Sequence, residues 1–443
     1  MEVVMIEWDL EPPEFPSAFD CRDAIRKGLG RALLWAEKGV WNEKDILLEA
    51  CLTDFRYDRQ CEEARGLWLW RMMQAVKVDD EFRAPILDSL QTVSDDLAAV
   101  QLCRFCVYYA RQGDERFRRQ LQRIVSEKPI SDCPWLGEEE LIELDGEAGF
   151  LFTAKVRGAV LLQREWDWDD SSAINVAIKQ LGEPIVLAAL QRVSASSKEI
   201  ACFLDKWRAA VEKESGAPKQ NHAARMRQYT IDDVIQAAEG TRNQTGLLRG
   251  WGIYASERYL EIILERLLAC REPEWIANYL RVFSKRALPR FDETILDLLD
   301  HENEKVRRWA YMAVGQNTHP AIREFAIGSL RLPIIDPEYL QLFVKNFQPG
   351  DEDLLLETLH IPADPDQRHG LLMDVVKVLE RNPVAHCEAL ALLAYRLTPC
   401  GPCRFDSAQL LVGRKFAPPW LIAECGYDSV SDIQKLVEAS AGS

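Results

Sequence analysis

The sequence predicts an all-α protein, an α-solenoid of stacked antiparallel helix pairs with no substantial β-sheet. Three observations predict it. Apolar residues recur at three- and four-residue spacing in segment after segment, the period of a helix that buries one face. Alternation of period two is almost absent, and no Asn-Gly or Asp-Gly turn stands between strand-like runs. The helical segments are short and are parted by Pro, Gly, Asp or Asn clusters, the pattern of a helical repeat array.

Along the chain, residues 1–16 carry three prolines and no helical period, which predicts an extended arm. Residues 17–214 read as a first helical region. It opens on DAIRKGLGRALLWAEKG, which has helical period throughout. A Pro-rich break, EKPISDCPWLG, lies at 127–137, and Asp145-Gly146 stands between two helical stretches. SGAPKQNHA at 215–223 is the best candidate linker. Residues 224–443 read as a more regular second region, continuous with the first. It contains SERYLEIILERLLAC, LLMDVVKVLERN and VSDIQKLVEAS. Tyr57-Asp58 and Tyr427-Asp428 each precede a helical run, where Asp is a natural N-cap. Ser429 with Asp432 has capping-box spacing.

The clearest repeat is FDETILDLLDHENEKVRRWAYMAVGQNTHPAIREFAIGSLR at 291–331. Val306-Arg307-Arg308-Trp309-Ala310 aligns with Ile322-Arg323-Glu324-Phe325-Ala326, and Val314 and Leu330 follow in the same phase. This spacing puts Val306, Ala310 and Val314 on one helix face, with a small Ala that allows close packing. Pro320 suits a first helical turn. The stretch resembles HEAT repeats of the armadillo and PBS-lyase type. Further blocks, FRYDRQCEEARGLWLW, ELDGEAGFLFTAKVRGAVLL, NFQPGDEDLLLETL and CGPCRFDSAQLL, are similar to a family of bacterial HEAT-repeat proteins without an assigned activity. The resemblance implies a fold and no reaction.

Composition narrows the function. The chain has 443 residues, 47% hydrophobic and 28% charged, in the range of globular proteins. Its formal charge of -17 disfavours nucleic acid and anionic membrane overall. The opening MEVVMIEWDLEPPEFP lacks the basic and apolar regions of a secretory signal, and no apolar run is long enough to span a bilayer. Twelve scattered cysteines fit a reducing cytoplasm, with most thiols buried.

TPCGPCRFD at 398–406 contains Cys-Gly-Pro-Cys, the motif of thioredoxin. Thioredoxin chemistry needs that pair between a strand and a helix, with an exposed first thiol. Here helical EALALLAYRLT precedes it, and no βαβ pattern follows. Helix punctuation is the preferred reading. As a metal site, Cys400 and Cys403 are half a tetrahedral set, which Cys425 with His386 or Cys387 would complete. No metal and no cofactor is expected. Cys103 and Cys106 share an apolar helix face and read as core. EWDWDD at 165–170 reads as an acidic helix start rather than a cation site. No His-Glu-x-x-His, Gly-x-Ser-x-Gly or P-loop pattern occurs.

One stretch runs against the acidic balance. Residues 221–290 hold eleven Lys or Arg against eight Asp or Glu. Arg281, Lys285, Arg286 and Arg290 cluster, followed by Arg307, Arg308, Arg323 and Arg331, with Trp251, Trp275 and Trp309 among them. Such a set suits a nucleic-acid groove, as in the DNA-alkylation-repair glycosylases, whose likeness is architectural. The competing reading has these arginines bracing adjacent repeats. The expectation is a non-enzymatic cytoplasmic scaffold or adaptor that binds a protein or peptide on its concave face. Arg281, Lys285, Arg286, Arg307, Arg308 and Trp309 form its contact surface. Nucleic acid is the alternative partner, through 281–331.

Overall fold

A computed structural model of the protein describes residues 10–92, 95–127, 133, 135–163, 171–216, 221–240, 244–330, 337–383, 386 and 388–441. Among the described residues the fold is all-helical, with no strand. The chain forms two compact units. One comprises Pro12–Pro218 with Ala423–Lys435, and the other is built on Lys219–Ile422. No single described helix is long and apolar enough to cross a membrane; one bent pair, Ser172–Leu181 with Glu183–Ser194, passes that test together. Residues 165–170 and Arg331 lie outside the described residues.

In the unit that begins at Pro12, DAIRKGLGRALL is two helices, Ala18–Lys27 and Gly30–Glu37. The sequence period runs through both; Gly28 breaks it. Its φ of 71° is left-handed, and its N–H caps carbonyls of the first helix. Gly30 then allows a close approach. A Cβ there would sit 1.9 Å from the Glu424 carbonyl oxygen. The 423–435 segment is thus built into this unit. Arg31 and Glu424 pair at 2.8 Å with almost no solvent access. The Trp68 indole donates to the Tyr427 carbonyl, and the Ser429 N–H donates to Gly28. Helix Ser431–Ala441 starts two residues after Ser429, so the Ser429–Asp432 cap expected from the sequence does not form. Asp58 and Asp428 accept from N–H groups two or three residues on, closing turns rather than capping helices. Capping boxes do form at Ser17–Asp20 and, in the other unit, at Thr230–Asp233. Further along, Phe150, Ala154, Ile174, Val186 and Phe203 close a dry core. Cys103 and Cys106 are fully buried, and burial drives both thiols far above their usual range.

In the Lys219–Ile422 unit the main packing partners lie one or two elements apart in the chain. Thr245–Tyr254 packs on Pro273–Phe283, and that helix on Glu304–Val314. Glu304–Val314 meets two 3-10 helices, Glu293–Asp300 and Pro337–Phe343. Pro365–Arg381, Glu388–Leu397 and Gly401–Gly413 follow in turn. Val306, Ala310, Val314, Ile322 and Ala326 are fully buried, on the face their spacing assigns. Pro320 opens helix Pro320–Ser329. Residues 293–300, helical by period, adopt the tighter 3-10 form.

A ladder of asparagines joins these layers. Helix C-termini leave carbonyls without intrahelical partners, and buried ones need donors. Asn278 donates to Ala238 O at 2.7 Å. Asn317 donates to Ala313 O and accepts from the Leu288 N–H, both at 2.9 Å. Asn346 donates to Leu342 O and Asn317 O and accepts from the His319 N–H. Asn382 donates to Val378 O and reaches Val344 O. From Asn317 on, each amide ties its own helix end to the layer before. No asparagine follows Asn382 in the sequence.

Candidate functional site

Five elements of the Lys219–Ile422 unit wall a cavity of about 440 Å³: Thr245–Tyr254, Glu304–Val314, Pro337–Phe343, Pro365–Arg381 and Gly401–Gly413. Helical spacing explains who lines it. Asp374 and Lys377 are three apart in the apolar run LLMDVVKVL, one face of a helix that otherwise buries Leu371, Leu372, Val375 and Val376. Gln341 bridges them. It donates to Asp374 and accepts from Lys377. Burial raises the Asp374 carboxyl to about 7, against the opposing pull of Lys377. Burial also lowers the Lys377 ammonium. Arg308 and Glu338, both on the cavity wall, pair at 3.0 Å. Trp309 forms one wall, with the Arg281 and Arg249 guanidinium groups 5.1 and 5.6 Å from its ring centre. Glu380 and Asp406 also line the cavity. Both carboxyls are raised, Glu380 by burial and then by Asp406, Asp406 by burial and then by Cys400.

Near Asp406 is a thiol centre. Cys400 is the N-cap of helix Gly401–Gly413, with Pro402 in the first turn, as the punctuation reading expects. Cys403 lies one turn in and lines the cavity. His369, one turn into Pro365–Arg381, puts its Nε2 3.0 Å from the Cys403 sulfur. The donor atoms of His369, Cys400 and Cys403 all lie within 4.8 Å of one another. The Cys400 thiol is pulled down to about 5 by a hydrogen bond from Cys403, opposed by burial and aided by His369.

No protein-family model, no curated protein and no solved structure matches the chain.

The structure gathers only part of the set singled out in the sequence. Arg308 and Trp309 line the cavity, and Arg281 reaches it by stacking on Trp309 while donating to Asn278 at 2.6 Å. Lys285 is exposed. Arg286 is tied to Glu257 and to Ala255 O, and Arg307 to the carbonyls of His301 and Glu302. Arg290 pairs with Glu261 and Asp292, and Arg323 with Asp351. These ties run to neighbouring layers or local turns. Cys425 is fully buried and belongs to the other unit, and His386 is exposed; Cys387 lies outside the described residues. The third donor beside the two cysteines is instead His369, because helix Pro365–Arg381 packs directly on Gly401–Gly413. Arg249, Gln341, Asp374, Lys377 and Asp406 were not anticipated. A legible signal existed for two of them, the charged pair interrupting LLMDVVKVL.

Proposed function

We propose that the chain is a helical-repeat adaptor of the HEAT type, without catalytic chemistry of its own, that holds a peptide segment of a protein partner in the 309–406 cavity. The packing between elements one or two apart in the chain and the asparagine ladder support a solenoid order within the Lys219–Ile422 unit. The observation that carries the binding reading is the cavity's mixed lining. Trp309 offers an aromatic surface, and Glu380 with Asp406 offers two carboxyls. An apolar side chain suits the first and a Lys or Arg the second. The negative chain charge favours approach of a basic partner. Against nucleic acid stands the pairing of Arg286, Arg290, Arg308 and Arg323 with carboxylates, which leaves little free charge for phosphates.

The test is a photo-crosslinking amino acid at Met312 or Met373, both on the cavity wall. One crosslinked protein is expected, its peptide carrying a basic residue next to the crosslink. It should be lost in W309A and in D406K. Crosslinks to nucleic acid, or a protein crosslink indifferent to both variants, would sink this reading.

A further inference from the structure

We propose that His369, Cys400 and Cys403 form a three-ligand transition-metal site suited to zinc, with its fourth position open to the cavity. It stands independently of the partner reading above. The donors are two sulfurs and one imidazole, a soft set that fits Zn²⁺ and disfavours Mg²⁺ or Ca²⁺. Zinc bonds of about 2.3 Å to sulfur and about 2.0 Å to nitrogen put tetrahedral ligands about 3.5–3.8 Å apart. The three donor atoms already converge within 4.8 Å. The 3.0 Å contact between His369 and Cys403 need open only slightly to admit an ion.

The alternative use of Cys-x-x-Cys fits less well. Redox exchange needs an accessible N-terminal thiol. Here Cys400 is only 3% exposed, and the thiol at the cavity is Cys403. A metal tolerates that burial, since it enters from the cavity side. Cys403 and Gly370, the residue after His369, both line the cavity, so the fourth ligand is water or a donor from the bound segment. Coordination would also fasten helix Pro365–Arg381 to Gly401–Gly413 beyond Asn382, the last rung of the ladder.

The experiment uses the reduced full-length chain alone, so its outcome does not depend on any partner. Metal content is measured as isolated, and Co²⁺ is then titrated into the stripped protein. The expected results are one zinc per chain, a thiolate-to-cobalt charge-transfer band, and a higher thermal midpoint with Zn²⁺ than without. C403S and H369A should lose the band while keeping the wild-type circular dichroism. C61S, which alters an exposed cysteine of the other unit, should keep it. No band and no midpoint shift in the wild type would overturn the proposal. So would a band that survives in both C403S and H369A.

Discussion

At the scale of single residues, Asp374 ties burial to pH. Its carboxyl is held at about 7, above the unfolded carboxylate range of about 4. Between those values the folded chain binds a proton that the unfolded chain has released. The stability this group contributes is full below about pH 4 and falls as the pH rises through about 7. D374N has no such proton. Its unfolding free energy, measured in denaturant across that range, should lose the downward slope that the wild type shows. An equal slope in D374N would place the proton elsewhere. The pair Asp374–Lys377 was readable as a charged interruption of an apolar face. His369 was not. Its partner in sequence terms is a cysteine 34 residues away, and only the helix packing reveals the pairing.

At the scale of elements, helix existence was legible because a buried stripe demands a 3.6-residue period. What the period hides is where a helix stops. Gly28 breaks a continuous pattern by its left-handed backbone, and residues 293–300 keep the pattern while winding more tightly. The asparagine ladder was also hidden. An isolated Asn near a helix end reads as punctuation, and its partners lie a whole layer away, as with Asn346 and Asn317. N317A removes the donor to two buried carbonyls and the acceptor for the Leu288 N–H. It should cost about 1–3 kcal/mol in chemical unfolding. A loss below a few tenths would mean that water replaces the side chain.

At the scale of the whole chain, both the all-helical class and the absence of a strand pattern could be read from composition and period. The return of 423–435 to the unit that begins at Pro12 could not. The Arg31–Glu424 pair joins residues 393 apart, and no local pattern encodes such a contact. Removing one partner of a buried pair leaves the other charge stranded. E424Q should therefore destabilise that unit by about 3–5 kcal/mol. Hydrogen exchange should speed up in Ala18–Lys27 and Gly30–Glu37, hundreds of residues from the substitution. Unchanged exchange there would show that solvent reaches Arg31.

The ladder also bears on how the Lys219–Ile422 unit comes apart. Each rung from Asn317 on draws one partner from its own layer and one from the layer before. A layer that opens therefore strips its neighbour of donors, and the loss passes on like the teeth of a zip. A missing tooth in the middle converts one concerted melting event into two, with the segments on either side opening at different temperatures.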